Sequence, residues 1–208
     1  MKVGKLIAKT AGITLAGLLA LILILFGVFT VFFPSVMLRI TDLCGMDRAC
    51  TQYAVSVYTR TNDIDDLAEV AERAYYSESW QIAAEHGQML MSCDDFEQYC
   101  NRRDALASGE GYASYKQEVA GIVSVAQYRL GNDSAALDAA FLYNSTSFES
   151  NNAAVTLTMT VIEANDKAFA ESILARLKET AQNIGLDLEE DIQNLETLIS
   201  VTESFLGQ

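Results

Sequence analysis

The sequence predicts an all-α protein: an N-terminal transmembrane helix followed by an α-solenoid of about four helical hairpins and a C-terminal capping helix. Three observations carry this prediction. Half of the 208 residues are apolar and a fifth are charged, a balance that builds a buried core rather than a disordered chain. Beyond Pro34, the only proline, apolar residues recur at helical and not alternating spacing. The longest apolar segment, residues 11–33, lies at one end and has no polar face.

Residues 1–10 form a basic tail with Lys2, Lys5 and Lys9 and no acid. The 23 residues from Ala11 to Phe33 are interrupted only by Thr14 and Thr30. At ~1.5 Å per residue such a helix crosses the ~30 Å hydrocarbon core of a bilayer. A cleaved signal peptide is the main rival, but its apolar region usually runs ~7–15 residues and ends in small residues. Here the run continues through Phe29, Val31, Phe32 and Phe33, as an uncleaved anchor does. Basic residues flanking a span are held on the cytoplasmic side. The three lysines outweigh Arg39 and Arg48, so the N-terminus is expected in the cytoplasm and the C-terminal domain outside it, in a single-pass topology. Gly12, Ala16, Ala20 and Gly27 recur near helical spacing and offer a narrow face to another membrane helix. Residues 34–48 read as a juxtamembrane linker.

All 28 acidic residues follow the apolar run, against 11 of the 14 basic ones. Such a field repels phosphate backbones, which argues against nucleic-acid binding and also keeps an exposed domain soluble. Four cysteines, Cys44, Cys50, Cys93 and Cys100, suit an oxidising compartment. The sequence-local pairing is Cys44 with Cys50 and Cys93 with Cys100. Seven residues of continuous helix separate Cα atoms by ~10 Å, beyond the ~7 Å a disulfide spans, so the second pair needs Cys93 in the preceding turn. Zinc is the competing use, but five and six residues separate the cysteines where zinc sites usually leave about two to four. Unpaired buried thiols are the remaining alternative.

The domain itself divides into repeats. Asn-Asp occurs at 62–63, 132–133 and 165–166, and Asp94-Asp95 fills the gap. The markers Asp63, Asp95, Asp133 and Asp166 are spaced by 32, 38 and 33 residues and are of a type that caps helix N-termini. Five residues before them stand Tyr58, Leu90, Tyr128 and Val161; four after, Leu67, Tyr99, Leu137 and Ala170; eight after, Ala71, Arg103, Phe141 and Leu174.

Over residues 49–182 this pattern resembles the tetratricopeptide repeat, a helix-turn-helix unit of about 34 residues that stacks into a solenoid. Tyr58 and Tyr128 match the late aromatic of the family's first helix, Gly87 its small residue and Ala170 its packing alanine. The early tryptophan is absent, Arg103 takes an apolar position, and no unit ends in proline. An irregular helical bundle is the alternative. The resemblance implies that the first helix of each unit lines a concave, peptide-holding surface. The positions carried over are Gln52, Ser56 and Arg60; then Gln81, Gln88 and Met91; then Ile122, Ala126 and Arg129; and last Val155, Met159 and Ile162. The stripe Leu188, Ile192, Leu195 and Ile199 within residues 186–206 is expected to cap the end of the stack, or else to lie in the groove.

Catalytic signatures are weak. His86 is the only histidine, so no paired-histidine metal site can form around it, and no nucleophile accompanies it. The carboxylates at Asp63-Asp65-Asp66-Glu69, Asp94-Asp95-Glu97 and Asp187-Glu189-Glu190-Asp191 fall at helix starts, where the macrodipole favours negative charge. No enzymatic activity, cofactor or metal is expected. The expected function is a membrane-anchored, extracytoplasmic scaffold for a protein or peptide partner. The alternative is a structural subunit of a larger membrane or envelope complex, contacting it through the span.

Overall fold

A computed structural model of the protein describes residues 2–107, 114–144, 148–183 and 189–207. All regular structure among them is helical. The chain runs through α1 (Lys2–Phe32), α2 (Pro34–Leu43), α3 (Asp47–Thr61), α4 (Ile64–Tyr76), α5 (Trp80–Met91) and α6 (Phe96–Leu106). It continues through α7 (Tyr115–Arg129), α8 (Asp133–Phe141), α9 (Ala153–Glu163), α10 (Lys167–Asn183) and α11 (Glu189–Leu206).

Within α1, the 23 residues Thr10–Phe32 are long and apolar enough to cross a membrane, and the stretch is not buried in the rest of the protein. Thr14 and Thr30 turn their hydroxyls back onto the carbonyls of Thr10 and Phe26, which hides their polarity inside the helix. The helix breaks at Phe33 (φ −132°, ψ 58°). The stretch expected as a linker holds α2, with Pro34 in its first turn, where a missing N–H costs nothing. Met37, Leu38 and Thr41 of α2 are buried.

Most of the remaining helices pack on their neighbours in sequence, with α5 lying directly on α7 and α6 also against α7, an arrangement compatible with a helical repeat. The core passes along the stack in four linked clusters. Leu38, Cys50, Ala54 and Val70 join α2, α3 and α4. Ala74, Ala83, Ala84, Ile122 and Ala126 join α4, α5 and α7. Leu67, Leu90, Phe96, Tyr99, Cys100, Tyr115 and Val119 bring in α6. The largest cluster, with Phe148, Leu157, Phe169, Ile173 and Leu177, reaches Leu195 and Leu198 of α11.

The four aspartate markers all begin the second helix of a pair: α4, α6, α8 and α10. Asp63 caps α4 by accepting the Asp65 N–H at 2.8 Å, and Asp166 accepts the Phe169 N–H at 3.0 Å. Asp95 and Asn132 occupy cap positions without a side-chain cap bond. The turns before Asp63, Asp133 and Asp166 each use a left-handed residue, Asn62 (φ 50°), Gly131 (φ 77°) and Asn165 (φ 54°), and the turn before Asp95 uses none. Tyr58 and Tyr128 reach toward the next pair: Tyr58 meets His86 edge-on, while Tyr128 stacks on Phe169 and donates to Asp166. Ala170 is fully buried, and Arg103, the departure from an apolar position, pairs with Glu72 at 3.0 Å over the Tyr115 ring.

Helix α11 packs on α10 and α9 at the end of the stack, as a cap does. Its buried face is Asp191, Leu195, Leu198 and Thr202, rotated from the expected stripe; Ile192 is exposed and Ile199 half-buried. Leu188 and Asp187 lie outside the described residues.

Candidate interaction surface

Helices α3, α5, α7 and α9 are the first members of the four pairs, and α7 packs between α5 and α9. A Cβ built on Gly87 would meet the Val123 Cγ2 at 2.5 Å, so the missing side chain is what lets α5 approach α7 this closely.

On α3, Gln52 is exposed and Ser56 is half-buried, its hydroxyl bonded to the Gln52 carbonyl. Arg60 is exposed but engaged: its guanidinium donates to the carbonyls of Val31 and, at 3.3 Å, Phe32. Those carbonyls belong to the last turn of α1, which has no helical donors of its own. The Tyr53 hydroxyl adds a 3.2 Å contact to Thr30 Oγ1, so two side chains of α3 reach the end of α1.

On α5, Gln81 and Gln88 are exposed. Met91 is half-buried and packs against the cluster around Phe96 and Tyr99. His86 is half-buried, with Nδ1 3.0 Å from the Ile82 carbonyl.

On α7 the expectation fails for two positions. Ile122 and Ala126 are buried beneath α5, because α7 carries apolar residues on every side, Val119, Ala120, Val123 and Val125 among them, and is surrounded. Arg129 is exposed at its end, with the guanidinium carbon 5.9 Å from the Trp80 ring centre and 5.8 Å from that of Tyr128. On α9, Met159 is exposed, Val155 packs partly into the large cluster, and Ile162 lines a cleft of about 430 Å³ with Ser200, Val201, Ser204 and Phe205 of α11.

The expected disulfides are not formed, and all four cysteines are free thiols. Cys44 is exposed at the end of α2. Cys50 is buried, with its Sγ 3.1 Å from Arg73 Nη1 and 3.7 Å from the Leu38 carbonyl. Cys93 directs its Sγ to the Met89 carbonyl, and Cys100 is packed in the Phe96 cluster. Burial pushes the Cys100 thiol up to about 11 and raises Cys50 and Cys93 as well. Thiols so held are poor nucleophiles.

The carboxylate clusters lie at the starts of α4, α6 and α11, and no group of three His, Cys, Asp or Glu among the described residues is placed to hold a metal ion. Two polar networks were not foreseen. Glu72 on α4 accepts from the Tyr115 hydroxyl at 2.6 Å and from Arg103. Gln117 on α7 donates to Asn144 at 3.0 Å and accepts the Ala153 N–H at 3.3 Å, tying α7 to the start of α9. Each joins residues far apart in sequence, and only the Arg103 departure hinted at the first.

Comparison with family models, with curated proteins and with solved structures finds no match to this chain. The likeness to a helical repeat thus rests on the helix pattern itself.

Proposed function

We propose that this protein is a membrane-anchored, extracytoplasmic interaction module, a tetratricopeptide-like stack that holds a protein or peptide partner near the external membrane face. The observation that carries the reading is the exposure of Gln52, Gln81, Gln88, Arg129 and Met159 on successive first helices, above a core that continues unbroken beneath them. The amides can pair with a peptide backbone, and Arg129 is preorganised on two rings. The acidic domain favours a neutral or basic partner.

A second reading, a subunit of a larger membrane complex, is supported by the span. Side chains added at Gly12 or Gly27 would meet nothing in this chain, so the Gly12, Ala16, Ala20 and Gly27 face is open to a neighbouring helix.

Crosslinking in the native membrane followed by mass spectrometry separates the two. Three forms are compared: the wild type, a surface variant (Gln52→Glu, Gln88→Glu, Arg129→Glu) and a span variant (Gly12→Leu, Ala16→Leu, Ala20→Leu). Loss of the partner in the surface variant alone supports the module; loss in the span variant alone supports the subunit. Retention in both sinks both readings.

A further inference from the structure

We infer that α2 is an interfacial helix, with Val36, Ile40 and Leu43 seated in the boundary between headgroups and acyl chains on the side of the helical domain. The inference rests on α1 being a membrane span and adds a second, in-plane contact with lipid.

The first support is covalent. The candidate span ends at Phe32 and α2 begins at Pro34, so a single residue, worth at most about 3.6 Å, separates them. With α1 in a bilayer, the start of α2 has no chain with which to leave its surface.

The second is the joint between α1 and α3. Tyr53 and Arg60 stand seven residues, or about 10 Å, apart along α3. Both reach the last turn of α1, one at the Thr30 hydroxyl and the other at the carbonyls of Val31 and Phe32. Two attachments so spaced fix α3 across the end of the span. Because α2 packs on α3 through Leu38, Cys50 and Ala54, it is fixed too.

The third is the composition of the outer face of α2. Met37, Leu38 and Thr41 face inward, while Val36, Ile40 and Leu43, at steps of four and three, are 39%, 45% and 88% exposed. Met46, also exposed, follows them. Among the described residues, no other helix of the domain carries more than two exposed large apolar residues, and Leu106, Leu142 and Met159 come from separate elements. Charge agrees with apolar rank: Asp42, the one acid in α2, is turned onto Arg73 at 2.8 Å, and Arg39 is free to reach headgroup phosphates. An apolar stripe held at this height has the bilayer boundary as its solvent.

The test uses the full chain in phosphatidylcholine–phosphatidylglycerol vesicles. A bimane probe is placed on native Cys44 in a Cys93→Ser protein. It is also placed singly on Ile40→Cys, Leu43→Cys, Leu19→Cys or Gln81→Cys in a Cys44→Ser, Cys93→Ser background. Emission of Trp80 checks that each variant is folded. Nitroxide lipid labelled near the carbonyl end of its chains should remove most emission from probes at 40, 43 and 44 and little at 81, with aqueous iodide giving the reverse. Iodide quenching without nitroxide quenching at 40 and 43 overturns the inference, placing the stripe in water. Shielding from both quenchers also overturns it, placing a second copy or another protein on the stripe. A probe at Leu19 that escapes lipid nitroxides at every depth overturns the span reading itself, an outcome distinct from failure at 40 and 43 alone.

Discussion

Replacing Gly87 with alanine puts one methyl group where α5 and α7 come closest. The new Cβ would stand 2.5 Å from the Val123 Cγ2, against about 3.5–4.0 Å for unstrained carbon contacts. Val123 cannot step aside, being β-branched in a helix and buried, so the helices themselves must shift. Overpacking of this kind costs about 1–3 kcal/mol. Alanine returns about 1 kcal/mol through helix propensity, leaving Gly87→Ala neutral to destabilising by about 2 kcal/mol. The pair Gly87→Ala, Val123→Ala is more decisive. Val123→Ala alone removes two buried methyl groups and costs about 1.6 kcal/mol or more. In the double variant the Gly87→Ala methyl enters the vacated space, so the double is more stable than the sum of the singles by about 1–3 kcal/mol. Guanidinium unfolding of the full chain in micelles, followed by the single tryptophan Trp80, reads all three variants on one scale. A coupling near zero, or a gain of the full propensity term in Gly87→Ala alone, would refute the close approach of α5 and α7.

Other expectations follow from local geometry. Asp63→Ala removes a side-chain cap and lowers unfolding stability by about 1 kcal/mol, whereas Asp95→Ala, which removes none, changes it by only a few tenths in the same assay. The hydrogen bond and charge of Arg73 hold the Asp42 carboxyl below its usual range. Its contribution to stability is therefore complete above the unfolded value near about 4 and fades as pH falls through the lower folded value. Asp42→Asn should flatten that acid-side loss in denaturation midpoints measured between about pH 2 and pH 6. Alkylation followed by mass spectrometry should modify Cys44 first, Cys93 slowly, and Cys50 and Cys100 only with unfolding. An intact mass two hydrogens lighter per pair, with no fast-reacting thiol, would contradict the free cysteines.

Much of this architecture is legible in residue spacing because helix starts are local events. An aspartate that accepts the N–H two or three residues ahead needs nothing distant, and all four markers do begin helices. The left-handed Asn62 and Asn165 are equally local. The burial of Gly87 and Ala170 also follows from pattern, since small residues recur where helices cross. The missed features need three-dimensional neighbours. Ile122 and Ala126 look groove-facing only if α7 has an open side, and the helices around it leave none. Helix α2 has one local signal, Pro34 in its first turn, a residue type that opens helices. Nothing near Arg60 in the chain shows that its partners are carbonyls 28 and 29 positions earlier. The thiols stand apart because Cys50 and Cys100 are held in α3 and α6 while Cys44 and Cys93 sit in the turns before them, a matter of neighbours that spacing does not encode.

The contact of Arg60 and Tyr53 with the last turn of α1 bears on what anchoring through that helix would mean. A domain on a flexible stalk sweeps a hemisphere and meets its surroundings in every orientation and at every height within reach. Were α1 in a bilayer, a domain held to it by such contacts would be restricted in height and tilt, leaving chiefly spin about the membrane normal and lateral drift. Search is thereby reduced from a volume to a sheet, and each collision presents the same edge. The two side chains that fix the angle set the encounter geometry for anything at that surface, though neither need ever touch it.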